Sequence, residues 1–322
     1  MNDSKIQKKP ASYRLAVMLT LPVVMGGCEA KLDLSGIGKE LENPIRRTDQ
    51  FQALAHHTQQ VVAVGNQGVI LAADVNSLNW RRTELPGQPG LIDVDACEDG
   101  RFIALSFDRT LWTSTDGAQS WQPQSIPTSE NLLDLTCSPD NNIWAVGSFS
   151  TVMVSKDHGK NWQESTLNED AMLTGIQFLT KQTAYLTGEF GLVFRTDDAG
   201  KNWFPLEPIP EDFYPQAAFF QDRQHGWVVG LDGRVMATRD AGESWERQTS
   251  GTVAPLYGVT GGKQRVAVGE NGVLLKNDTS GDVWQSSNPT GISAYIRDAL
   301  WLNDTTLLLA GGNGTLKTLS LP

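Results

Sequence analysis

The chain has 322 residues, a formal net charge of −11, 39% apolar and 20% charged residues, and three cysteines. That is the composition of a folded chain with an ample core, which excludes an intrinsically disordered polypeptide and a disulfide-dense mini-domain. An acidic balance of this size repels phosphate, so it argues against nucleic acid as a partner and makes an anionic lipid surface a poor one.

The N-terminal segment is an address rather than part of the fold. Lys5, Lys8, Lys9 and Arg14 form a basic region, and residues 15–25 form an apolar stretch too short to cross a bilayer as a helix. It ends in Met25-Gly26-Gly27-Cys28. This resembles a bacterial lipoprotein signal with its lipobox; an ordinary secretory signal or an uncleaved anchor is the alternative. The resemblance implies cleavage before Cys28 and lipidation of that cysteine. Glu29, rather than Asp, then implies delivery to the outer membrane, facing the periplasm, with the inner membrane as the alternative. The expected division is a signal peptide over 1–27, a lipidated cysteine and tether over 28–40, and a folded domain over 41–322.

From there the chain repeats. Trp80, Trp121, Trp162, Trp203, Trp245 and Trp284 recur about every 41 residues, a period that belongs to propeller blades. Upstream of each Trp, a short apolar run ends in a turn and a second run follows, as in Val61-Val-Ala-Val-Gly65-Asn-Gln-Gly68-Val-Ile-Leu71. Seven such hairpins can be counted, the one around Phe102–Trp112 being degenerate. One more apolar run precedes each hairpin and another starts at the Trp, giving four strands per unit. The expectation is all-β: a seven-bladed propeller of four-stranded blades with no substantial helix. The last unit stops before a fourth strand, so residues 41–48 are expected to supply it and close the ring.

The turn before the Trp reads Ser155-Lys-Asp157-His-Gly159-Lys-Asn161-Trp162, Thr196-Asp-Asp198-Ala-Gly200-Lys-Asn202-Trp203 and Thr238-Arg-Asp240-Ala-Gly242-Glu-Ser244-Trp245. It resembles the Asp-box, or bacterial neuraminidase repeat. The resemblance implies a structural role, with Ser or Thr and Asp bonding local backbone and the Trp packing between blades. Two copies are worn, with Ala118 at the glycine position and Thr279 at the Asp position.

Few residues suggest chemistry. Alignment of the innermost strands puts Ala53, Asp93, Asp134, Gly175, Ala217, Gly258 and Asp298 in one layer at the ring centre, with Arg297 beside the last. Asp93, Asp134, Asp298 and Arg297 are therefore the candidate binding residues, read either as an acidic binding face or as polar lining of a wet channel. A glycosidase would need two such carboxylates about 5–9.5 Å apart, which spacing cannot establish; no catalytic residue is assigned. Sialidases share the Asp-box, but Pro44-Ile45-Arg46-Arg47 does not match their Arg-Ile-Pro motif. His56 and His57 are adjacent on a strand and point to opposite faces, and no Cys/His spacing suits zinc. No metal or cofactor is expected. Cys97 and Cys137 occupy nearly the same place in neighbouring repeats and are either an inter-blade disulfide or two buried thiols. Phe149, Phe190, Phe213 and Tyr214 follow or flank turns and are read as exposed aromatics of a protein-binding surface or as packing between turns.

Together, the Gly-x-x-Gly hairpins, the Asp-boxes, the blade count and the lipoprotein-like start resemble the photosystem II stability/assembly factor family over nearly all of residues 50–318. The resemblance implies a non-enzymatic scaffold that holds a newly made membrane-protein subunit or peptide during assembly, and a monomeric propeller is expected. Photosynthetic members carry an arginine patch on the inner strands. Here that layer offers Asp93, Asp134 and Asp298 with Arg297 alone positive, which points to a partner with a basic segment outside photosystem II. A glycan-binding or glycan-hydrolysing propeller is the alternative.

Overall fold

The computed structural model describes residues 36–277, 282–287 and 291–321. The expected signal segment, Cys28 and Thr279 lie outside them. Seven antiparallel sheets follow one another along the chain, six of four strands and one of three. The inner strands are Phe51–His57, Leu91–Ala96, Leu132–Cys137, Leu173–Phe178, Pro215–Phe220, Leu256–Gly261 and Ile296–Asn303, which define blades 1 to 7. The fold is a seven-bladed β-propeller. Its one α-helix among the described residues is Ile37–Glu42.

In most blades the second strand is the most deeply buried, as in Ile143–Gly147, where all five residues are buried, and in blades 1 and 5 the third strand is buried as fully. Both its faces meet neighbouring sheets, so it reads as a continuous apolar run rather than an alternating one. The core is accordingly divided among the seams. Seven buried clusters each draw on two adjacent blades. Blades 7 and 1 share one of them, in which Leu308, Ala310 and Leu316 pack on Phe51, Leu54 and Leu71. The outer strands are largely exposed, Gln163–Thr166 along its whole length.

Among the described residues no added strand closes the ring, and the expected strand over 41–48 is not formed. Residues 41–48 end the short helix and then turn, and blade 7 has three strands among the described residues. Pro44 brings no N–H to a ladder. The following residues bond to themselves and to turns instead: Asp49 Oδ2 accepts the Arg46 N–H at 2.7 Å, and the Asp49 carbonyl accepts the Gly314 N–H at 2.8 Å. Closure therefore rests on the shared blade 7–blade 1 core and on a contact at the ring centre.

The Asp-boxes are self-contained knots. In blade 3 the Ser155 hydroxyl accepts the Gly159 N–H at 2.8 Å and donates to Asp157 Oδ1. Asp157 then accepts the backbone and side-chain N–H groups of Asn161 at 2.8 and 2.6 Å. Asp198 and Asp240 repeat this pattern with Asn202 and Ser244. The worn copy works too, since Ala118 adopts φ 62° and donates to Ser114. Elsewhere glycine is needed, because a Cβ on Gly200 would lie 2.3 Å from Trp144.

Candidate functional site

Each inner strand carries an irregularity near its start, after which the layer residue pairs with the second strand. The pairs are Ala53 with Val64, Asp93 with Leu105, Asp134 with Val146, Gly175 with Thr187, Ala217 with Val229, Gly258 with Val268 and Asp298 with Ala310. The seven positions thus share one register around the channel.

The carboxylates of that layer face the next blade rather than open solvent. Asp93 Oδ2 accepts the Leu135 N–H at 2.8 Å, while Oδ1 accepts the Val94 N–H. Asp134 Oδ2 accepts the Ile176 N–H at 2.7 Å. Asp298 Oδ2 accepts the Leu54 N–H at 2.8 Å, and its Oδ1 the Ala299 N–H. Each is a staple from one inner strand to the next, and the Asp298 staple joins the last blade to the first. An edge N–H left in the channel wall would otherwise lack a partner, which is costly in a buried setting.

Two further staples escape the spacing argument. Asp95 Oδ2 accepts the Cys137 N–H and the Thr136 hydroxyl, both at 2.8 Å. Gln177 does both jobs of an amide, accepting the Phe220 N–H at 2.7 Å and donating to the Phe220 carbonyl at 2.9 Å. Both lie two residues beyond the layer, hence on the same face of their strands, and that period is the signal that could have found them.

Burial raises the pKa of all four acids. Asp93 stands well above the usual carboxylate range, first from burial and then from the negative charge of Asp134, with which it shares a side-chain hydrogen bond. Two carboxylates in that contact cannot both ionise cheaply, which holds the Asp93 proton more tightly than in a lone carboxyl. Asp298 is pushed up to about 6 by burial, opposed by its two backbone donors and by Arg297.

The same seam between blades 2 and 3 is covalently joined. Cys97 and Cys137 form a disulfide with Cα atoms 5.1 Å apart. Arg297 lies apart from the staples, over the Tyr257 ring at 5.8 Å, and the Tyr257 hydroxyl donates to Glu270 at 2.9 Å. The small residues of the layer leave room where the acids stop: Gly175 and Ala217 border a cavity of about 140 Å³ lined also by Asp134, Thr187, Gln177 and Gln216. No group of three or more His, Cys, Asp or Glu side chains placed to hold a metal occurs among the described residues.

The aromatic candidates divide. Phe149 and Phe190 are 60% and 65% exposed. Phe213 is buried, packed with Tyr185, Ile209 and Phe220, so it is core and not surface. Its connection carries its own apolar residues under the turn, which local sequence could not reveal. Tyr214 is half-buried.

The fold and its turns define a propeller of the Asp-box class. Residues 71–208 match the family model described as photosynthesis system II assembly factor YCF48. Over that stretch, less than half of its length, the chain is similar to the photosystem II assembly factor propellers. It is similar to the solved structure of YCF48 bound to D1 peptide, at 14% identity, with 87% of this chain and 96% of that chain covered and a TM-score of 0.70. YCF48 from Cyanidioschyzon merolae gives 13% identity, 85% and 96% coverage and a TM-score of 0.68. A catalytically inactive virginiamycin B lyase from Staphylococcus aureus with quinupristin gives 14%, 86% and 96%, and 0.74. At such identities these structures share the fold. No curated protein matches the sequence.

Proposed function

We propose that this chain is a non-enzymatic, lipid-anchored periplasmic scaffold that binds a segment of a membrane protein and supports its assembly or stability. The observation that carries the reading is the assembly-factor family match over residues 71–208. A structure of YCF48 holds a D1 peptide, so a propeller of this shape can present a surface to a peptide. The channel carboxylates argue against a hydrolytic role. Asp93 and Asp298 accept backbone N–H groups with both oxygens, and Asp134 is held between Ile176 and Asp93. None is placed as a free acid–base pair across a substrate. Anchoring through Cys28 would hold an acidic body near a membrane whose surface it does not otherwise favour.

Crosslinking in native membranes followed by capture of the full-length protein tests the scaffold. A single stoichiometric membrane-protein partner is expected; its absence sinks the reading. Labelling with an alkyne fatty acid should be lost in Cys28→Ala. The lyase likeness makes an enzyme the second reading, and turnover of a streptogramin or of an arrayed glycan by the purified chain would establish it.

A further inference from the structure

Among the described residues, eight large apolar side chains are exposed, and four of them sit in one equivalent turn of four consecutive blades. The turn joins the second and third strands. Phe107 and Leu231 hold its first position in blades 2 and 5, and Phe149 and Phe190 hold its second position in blades 3 and 4. Their exposures are 65%, 46%, 60% and 65%. Facing sheets pack about 10 Å apart, so the four turns stand as neighbours along one end of the ring and carry their apolar side chains as a broken ridge.

The second position is a left-handed one. Gln67, Asp232, Asn271 and Asn313 occupy it in blades 1, 5, 6 and 7 with φ between 55° and 56°. Asn and Asp tolerate that conformation; a bulky aromatic does not gain from it. Phe149 (φ 52°) and Phe190 (φ 60°) nevertheless adopt it and project into solvent. Neither fold stability nor solubility accounts for two such residues side by side, whereas contact with a partner does.

Charge identifies the partner's chemistry. The connection over 167–172 is tied to both Phe turns: Ala171 accepts the Ser150 N–H at 2.7 Å, and Met172 accepts the Glu189 N–H at 2.9 Å. It carries Glu169 and Asp170, both exposed, in the segment tied to the two turns. Across the turns and connections of this end in blades 2 to 5 (107–109, 127–131, 148–150, 167–172, 189–191, 206–214 and 231–233) there are nine carboxylates and one cation, Arg109; Arg234 and Arg247, beside these segments, pair with Asp232 and Glu211, and the acidic excess that remains includes Glu169 and Asp170. Arg109 is itself held on the Ser129 carbonyl at 3.0 Å.

We propose that this ridge is a docking surface for a polypeptide segment in which large apolar side chains alternate with Lys or Arg. The apolar residues would lie on Phe149 and Phe190, and the cations on Glu169, Asp170 and their neighbours. An anionic membrane surface is disfavoured by the same carboxylates. The inference deepens the scaffold reading and rests on it for the biological identity of the segment, but not for the binding itself.

The test uses the full-length chain in phosphatidylcholine nanodiscs and three labelled twelve-residue peptides: Lys with Leu and Phe, Glu with Leu and Phe, and Lys with Ser. Saturable binding of the first alone is expected. Phe149→Asn/Phe190→Asn should weaken it at least tenfold, with melting temperature unchanged or raised, because Asn already serves at that position in blades 6 and 7. Glu169→Gln/Asp170→Asn should weaken it less and flatten its salt dependence. Equal binding of all three peptides, binding of none, or indifference to the Phe pair overturns the proposal, as does a Phe-pair effect confined to vesicle adsorption. Crosslinking in native membranes separates the two ideas. A partner captured equally by wild type and by the Phe-pair variant keeps the scaffold and removes the ridge; no partner in either removes the scaffold, and the peptide result alone then decides the ridge.

Discussion

Aspartate does two opposite things in this molecule. In the Asp-boxes it is at the rim, solvent-facing, and bonded within its own turn. At the ring centre it lies in the channel wall and bonds to the next blade. Hydrogen bonds to Ser120 depress the Asp116 pKa to about 2, and the Asn202 backbone and side chain do the same for Asp198. Burial instead lifts Asp298 to about 6, although it too accepts two N–H groups. The donors are similar; the solvent is not. Exposed carboxylates keep their hydration and gain the bonds, whereas enclosed ones lose hydration and only partly recover it.

The largest way to disturb this arrangement is at the blade 2–blade 3 seam, where a disulfide across a sequence separation of 40 lies beside the Asp93 and Asp95 staples. Loop closure of that length constrains the unfolded chain by about 4 kcal/mol. Cys97→Ala/Cys137→Ala should lower denaturant stability by an amount of that order, read by chemical unfolding, and reductant should lower the wild type alone. Next comes the ring-closing staple. Asp298→Ala leaves the Leu54 N–H unpaired in the channel wall and is expected to cost about 1–3 kcal/mol. Hydrogen exchange should then accelerate first along Phe51–His57 and Ile296–Asn303. If exchange rises evenly around the ring, the staple does not hold the closure.

Asp240→Ala should lower the melting temperature less than Asp298→Ala, because the turn it knots is exposed and its released groups can meet water. The smallest effect is in pH, and there the two sets should pull in opposite directions. The folded state holds the Asp298 proton more tightly than the unfolded chain, so this residue's contribution declines as pH rises from about 4 through about 6 and is flat above. Asp298→Asn should remove part of that slope. Asp116 and Asp198 hold their protons less tightly when folded, so their contribution is complete above about 4 and disappears as pH falls through about 2. A stability profile with no slope change in Asp298→Asn between pH 4 and 6 would break the comparison.

The repeat, the blade count and the layer of Asp93, Asp134 and Asp298 could be read from the chain because each depends on period and local turn chemistry. A Trp every 41 residues and a Ser-x-Asp-x-Gly turn need no knowledge of what lies across a seam. The three strands of the seventh blade among the described residues, the burial of Phe213 and the direction of each staple depend on residues far apart in sequence, as in the 244-residue separation between Leu54 and Asp298. Only the closed ring determines whether a carboxylate at the channel layer meets water or a neighbouring strand's N–H, since the dielectric and the donors around it are supplied by the adjacent blade. Sequence alone therefore determined the propeller and the positions of its acids; tertiary structure decided that these acids staple the blades, and that an exposed apolar ridge stands elsewhere, on the turns between second and third strands.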